Sequence, residues 1–351
     1  MQSNQSSGLV ALRQRLADLD PDEHFSGWMR TLAAEGFDQL PQPGSGQTLE
    51  RWQALADVGS RNLSLAKLYE GHTDAMAILR ELGCPLPPHA VWGVWAADMP
   101  SARVLIQPDT ARGDGVRLTG LKCWCSGANS VSHGLLTAWH ADGGGPQLVA
   151  VAMQQTGIRV RSEAWQAVGM RGSESVDVVF DNAQAQLVGK AGDYLLRPGF
   201  WQGGAGIAAC WHGGAVFLAS TLLTAVRKSA EAGAHSPTTT FSQAALGRVD
   251  TELRASAALL REAAHWIDSH PRHDASEVAL RVRLRAEAAA KAVLDTVGAA
   301  LGASPFCRDA RFARMAADLP VFIRQSHAER DFAALGERVS GGAVDDPAWT
   351  L

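Results

Sequence analysis

Cysteine is scarce and unpaired in this chain. Five residues, at 84, 123, 125, 210 and 307, form an odd and scattered set that does not read as a disulfide framework. Charge is scarce as well: Asp, Glu, Lys and Arg make up 19% of the sequence and nearly cancel, at a formal −4. No Lys/Arg run interleaves with aromatics, so nothing points to nucleic acid. A charge or a glycine interrupts each long apolar stretch, so no membrane span is expected. The first residues, Met1-Gln2-Ser3-Asn4-Gln5, lack the basic and apolar regions of a secretory signal, and the cytoplasm is the expected compartment. There is no Gly-x-Ser-x-Gly elbow and no P-loop. Cys123 and Cys125 lack a matching His or Cys pair, so no metal site is expected.

What the chain does have is length and a core. With 351 residues at 46% hydrophobic content it can build two or three folding units. Residues 1–88 read as helices. Leu9, Leu12 and Leu16 recur at helical spacing, Phe25, Trp28, Met29 and Leu32 follow, and Gly36 is a stop. Thr48 reads as the cap of a short helix. A longer one is expected from Arg61 to Leu82, with His72 on its apolar stripe and Gly83 at its end. From 89 to 190 the period changes to two. Short strands at Val91–Trp95, Val104–Ile106, Val116–Leu118, Leu135–Ala138, Leu148–Val151, Ile158–Val160 and Val176–Phe180 predict an antiparallel β-barrel or sandwich. From 191 to 340 the helical period returns in four segments, predicting a four-helix bundle in which Pro320 kinks or divides the last helix. Residues 341–351 read as a tail. The fold class is therefore an α+β multidomain chain: helices, barrel, bundle.

Two stretches of the β segment carry chemistry. In Leu118-Thr119-Gly120-Leu121-Lys122-Cys123-Trp124-Cys125-Ser126, strand alternation gives Trp124 and Ser126 one parity, an aromatic wall beside a hydroxyl. In Gly169-Met170-Arg171-Gly172-Ser173-Glu174-Ser175, the two serines share a parity in their turn. A packed barrel strand with a Ser-Gly turn is the plainer reading of the first run alone. With the domain order and the Arg308-Asp309-Ala310-Arg311 segment, the chain resembles the acyl-CoA dehydrogenase superfamily of flavoproteins over nearly its whole length.

That resemblance implies FAD as the cofactor. Trp124 would lie against the flavin ring, and Ser126 would donate to N5 or O4. Trp95 occupies the place of an earlier flavin-contacting strand, with a packed core residue as the alternative. Arg171, Ser173 and Ser175 would hold the dinucleotide, with a solvated turn as the alternative for Arg171 and Ser173. The superfamily's Arg-x-x-Phe-Gly segment has no recognisable counterpart, and Gln243 and Arg248 are its possible substitutes. A homodimer or homotetramer, and a small-molecule substrate such as an acyl thioester, are implied with it.

Dehydrogenation of such a thioester needs a carboxylate to take the α proton. The positions that the resemblance designates fall on Ala317 and near Gly204 or Ala205, none of them acidic. Asp318, one residue away, is the candidate base; an N-cap or surface charge is its plainer role. A second reading is a flavin-dependent monooxygenase using a C4a-peroxyflavin, which needs no such base. There His72 and Ser126 would stand at the flavin edge, against the alternative that His72 is a satisfied core residue. A third is a flavin-binding or structural homologue with altered catalysis.

Overall fold

The computed structural model describes residues 7–19, 25–97, 99–109, 115–141, 143, 145–231 and 237–341. The expected tail beyond 341, and Asp98 in the loop after the first strand, lie outside the described residues. The chain begins with α1 (Ser7–Asp18), α2 (Phe25–Ala34), α3 (Thr48–Arg61) and α4 (Leu63–Glu81). Seven strands follow: β1 (Trp92–Trp95), β2 (Val104–Pro108), β3 (Val116–Cys125), β4 (His133–His140), β5 (Gln147–Ala152), β6 (Ile158–Arg161) and β7 (Val176–Val188). The remainder is helical: α5 (Asp193–Leu196), α6 (Gly199–Glu231), α7 (Pro237–Ser269), α8 (Ser276–Leu301), α9 (Ser304–Arg308), α10 (Ala310–Phe322) and α11 (Glu329–Ser340).

Local chemistry sets several of these boundaries. Asn62 breaks the helix expected from Arg61 onward: extended at φ −165°, its side chain accepts from the Leu65 N–H and opens α4 afresh. Gly83 at φ +67° ends that helix, and the Cys84 N–H returns to the Leu79 carbonyl. Thr48 is not a cap but the first residue of α3, and its hydroxyl donates to Asp268 on α7 at 2.6 Å. Pro320 does not divide α10. It falls in the last turn, where a proline forfeits one intrahelical bond, and the helix reaches Phe322 before tightening into a 3-10 turn.

The barrel is closed but mixed, which corrects the antiparallel expectation. Strands β4, β2, β3, β7 and β5 form a ring that returns to β4. β4 pairs in parallel with β2 through Leu105↔Trp139 and Ile106↔His140, and antiparallel with β5. β1 adds in parallel to the other end of the edge that β2 occupies, from Trp92↔His133 to Trp95↔Leu136. β6 lies along β7.

The helical part differs from four equal helices. Three long ones, α6, α7 and α8, pack together, while α3 and the shorter α10 both lie against α6. Bare glycine faces set the α3–α6 distance. A Cβ on Gly213 would stand 2.1 Å from the Ala56 carbonyl oxygen, and one on Gly59 2.5 Å from that of Cys210. One apolar cluster runs from Leu9 through the barrel interior to Ile323, continuous across the expected boundaries at 88 and 190. By length and composition α6 is apolar enough to cross a membrane, contrary to the sequence expectation. Within the molecule 67% of its most apolar window is buried, as befits the central helix of a bundle.

Candidate active site

The end of β3 departs from regular strand geometry at the residues that matter. Its pairing with β7 shifts register between Lys122 and Cys125, and Trp124 in that bulge sits at φ +62°. A bulky residue in the left-handed region carries strain. The bulge turns the indole outward: Trp124 is 54% exposed, and its ring meets Trp165 edge-on at 6.2 Å. Strand alternation therefore does not carry through to Ser126, which lies in the following turn at 9% exposure.

Ser126 joins the second stretch through a chain of hydroxyls. Its Oγ lies 2.7 Å from that of Ser175, which lies 3.0 Å from that of Ser173. Ser173 Oγ donates to the Met170 carbonyl at 2.8 Å. The turn that presents these serines is tightly shaped: Met170 and Glu174 flank a 3-10 turn, both at positive φ, and the Gly127 N–H donates to the Ser173 carbonyl. Trp165 Nε1 donates to the Arg171 carbonyl, which ties the half-buried Trp165 indole to the turn. The Arg171 side chain is exposed and among the described residues faces no carboxylate within ion-pair distance. An exposed aromatic face beside a hydroxyl row fits the flat face and polar edge of a flavin ring.

Several expected site residues have other roles. Trp95 is in the core at 1% exposure and donates to the Ser126 carbonyl, so it positions Ser126 rather than facing a cofactor. Asp318 is 3% exposed. Its Oδ1 accepts from the Met170 N–H at 2.5 Å, its Oδ2 faces Ser64 Oγ at 3.5 Å, and burial raises its pKa. It anchors the serine turn to α10, where Gly169 packs so closely that a Cβ would meet the Ala317 carbonyl oxygen at 2.0 Å. His72 is fully buried. The Trp92 N–H donates to its Nδ1, which leaves the hydrogen on Nε2 to donate to Asp38 at 3.1 Å. Burial pushes the Asp38 pKa up, but hydrogen bonds from His72 and Gln39 outweigh it and hold the carboxyl below its usual range. His72 is thus a satisfied core residue tying α4 to β1 and to the segment before α3. Gln243 and Arg248 are exposed on α7, which packs chiefly against α8, α6 and α3. The fold does not bring them to the serines of the same chain.

Sequence reasoning missed the charged side of the site. Lys67, Gly71 and Val94 line a small cleft with Ser126, and Lys67 pairs with Glu70 at 3.0 Å. The i,i+3 spacing of that pair was visible, but such pairs are common on solvated helix faces. Across from α4, a Cβ on Gly204 would meet nothing within 4 Å, so open space stands where the resemblance puts a carboxylate.

No protein-family model matches the sequence, and no curated protein matches it. Solved structures match it in shape over nearly its full length. A complex of KijD3 with FMN and dTDP-3-amino-2,3,6-trideoxy-4-keto-3-methyl-D-glucose superposes with a TM-score of 0.76 at 19% identity, covering 95% of this chain and 91% of that one. A complex of TdsC from Paenibacillus sp. A11-2 with FMN and indole gives 0.74 at 17% identity, covering 94% and 93%. The 3-HSA hydroxylase from Rhodococcus sp. RHA1 gives 0.71 at 18% identity, covering 96% of each chain. The KijD3 and TdsC complexes hold FMN, and the likeness supports the acyl-CoA dehydrogenase-like fold expected from the sequence in its general outline, with the mixed barrel and unequal helices described above.

Proposed function

We propose that the chain is a flavin-dependent oxidoreductase and that its chemistry is oxygenation of a small molecule rather than dehydrogenation of an acyl thioester. One observation carries the choice: Asp318, the candidate base one residue from the designated position, holds the Met170 N–H, and Gly204 leaves the alternative position empty. Proton abstraction from carbon needs a free carboxylate within reach of substrate; activation of oxygen by reduced flavin does not. TdsC, described as a dibenzothiophene monooxygenase, and the 3-HSA hydroxylase lend the same direction.

The bound flavin would supply electrons to oxygen. The chain's own residues would bind and orient it. Trp124 offers a face for the ring, Ser126 and Ser175 a polar edge, and Arg171 a cation for a phosphate. Lys67 and Glu70 hold the polar wall of the cleft. FMN is the cofactor in this proposal rather than the FAD inferred from the sequence. Nothing in the chain corresponds to the usual Arg-containing dinucleotide segment, and the KijD3 and TdsC complexes above contain FMN. Assembly through the helices into a dimer or tetramer belongs to the same reading.

Equilibrium titration with FMN and FAD tests it, followed by anaerobic reduction and exposure to oxygen. FMN should bind more tightly than FAD, and the reduced complex should consume oxygen. Absence of flavin binding overturns the reading. Bleaching of bound flavin by acyl-CoA thioesters without oxygen would restore dehydrogenation.

A further inference from the structure

A cavity of about 650 Å³ opens where the segment after α4 crosses the barrel. Its volume lies within the roughly 300–1,000 Å³ typical of small-molecule sites. Cross-strand pairing explains the hollow, because partners in register put their side chains on one face. One row on this face is Trp92, His133 and Ala152, and the next is Val94, Leu135, Ala150 and Gln186. It is the outer face: Trp92, Leu135, Leu148 and Val188 pack with α4 in a cluster apart from the barrel interior. β1 and β4 thus contribute rings and branched chains to the two rows, while β5 contributes only methyls. Leu79 of α4 and, after it, Cys84, Pro85 and Pro87 line the other side. Trp92 also lines the cleft beside Ser126, but Lys67, Gly71 and Ser126 do not line the cavity, so the two are separate.

His133 brings a directed hydrogen to this cavity. Its ring lies 4.8 Å from that of Trp92, and burial lowers its pKa, so the imidazole is neutral at pH 7. The Ser132 hydroxyl lies 3.1 Å from the Val91 carbonyl and 2.9 Å from His133 Nδ1. That carbonyl already accepts from the N–H groups of Ser132 and His133, which fill its two lone pairs. The hydroxyl therefore gives its hydrogen to Nδ1, and Nε2 carries the ring hydrogen. Among the described residues nothing accepts from Nε2, and packing does not shut it off. Charge at the wall is slight. Among the described residues no Lys or Arg lines the cavity, and its one carboxylate, Asp109, pairs with Arg117 at 3.0 Å. The remaining polar groups are glutamine amides. An anion would meet no cation there and would lose its hydration without return.

We propose that this cavity binds a neutral, flat, carbonyl-bearing small molecule, with His133 Nε2 donating to the carbonyl oxygen and Trp92 packing against the ring. The site goes beyond the flavin reading and does not depend on it.

The full-length protein, with and without FMN, is titrated calorimetrically with 2-acetylnaphthalene, 2-ethylnaphthalene and 2-naphthoate. These share a ring system and differ in offering a neutral carbonyl, no acceptor or an anion. The ketone should bind roughly tenfold more tightly than the hydrocarbon, and more tightly than the carboxylate. His133→Phe keeps a ring against Trp92 and removes the donor, so it should bring the ketone down to the level of the hydrocarbon. Ala150→Leu, which fills the hollow, should weaken both by about tenfold or more. Ala152→Leu, at an exposed position, makes the same test should Ala150→Leu fail to fold. The proposal is overturned if the wild type does not bind the ketone, if the ketone gains nothing over the other two probes, or if its affinity survives the leucine variants. Loss of ketone binding on adding FMN would place the probe at the flavin site and would also overturn it. If FMN itself fails to bind, the oxidoreductase reading falls separately, and titration of the flavin-free chain still decides the role of His133.

Discussion

At the scale of single residues, the serine chain has a direction. Ser173 gives its hydrogen to the Met170 carbonyl. For each remaining oxygen pair to share one hydrogen, Ser175 must donate to Ser173 and Ser126 to Ser175. Ser126 then presents lone pairs outward, an acceptor suited to a ring N–H rather than the donor that the sequence suggested. Reduced flavin carries an N–H at N5 where oxidised flavin does not, so reduced FMN should bind about fivefold more tightly than oxidised FMN, a difference worth about one neutral hydrogen bond. Titration of both forms measures it, and Ser175→Ala, which frees the Ser126 hydrogen, should narrow the ratio. Trp124 makes an opposite trade. Trp124→Gly should relieve about 1 kcal/mol of left-handed strain while weakening FMN roughly tenfold, as urea unfolding and fluorescence titration would show. Asp318 can be tested by removing its charge or its oxygens. Asp318→Ala leaves the Met170 N–H without its acceptor and should lose about 1–3 kcal/mol, whereas Asp318→Asn keeps an acceptor. Because burial raises the Asp318 pKa, its contribution is intact in acid and fades as pH rises through the folded value. The stability of Asp318→Asn relative to wild type should therefore climb from the ordinary carboxylate range upward, and a flat difference across that range would refute the burial argument.

At the scale of elements, close glycine contacts fix the helices. Gly213→Ala would drive a methyl into the Ala56 backbone carbonyl, and α3 would have to move off α6 at a cost of about 1–3 kcal/mol in urea unfolding. The strands were legible because their period of two and their turn glycines are local signals, and seven of seven stretches read as strands are strands. Their parallel pairings were not, since β1 and β2 reach β4 across intervening chain and no local signal specifies that choice. The same distinction governs the site. Trp124 and Ser126 could be picked out, but the bulge that sets their directions depends on β7 pairing. The partners that turn His72 and Asp318 into structural groups, Asp38 and Met170, lie 34 and 148 residues away in sequence.

At the scale of the whole molecule, α7 bears Phe241 at 71% exposure. In a dimer or tetramer formed through the helices, Phe241→Asp should shift the assembled species toward monomer in light scattering; an unchanged mass would remove that face from the interface. The barrel itself adds a constraint on how the chain can be divided. β4 has β5 on one edge, and on the other β1 at one end and β2 at the other. The segment that enters the barrel through β1 is the one that His72 ties to α4. A fragment starting after Trp95 would thus expose the amides and carbonyls of His133–Leu136 as a bare strand edge, which recruits other chains. Limited proteolysis and recombinant truncation should accordingly yield aggregates rather than a free-standing barrel, and backbone amides of β4 should be among the last to exchange with deuterium in the intact protein.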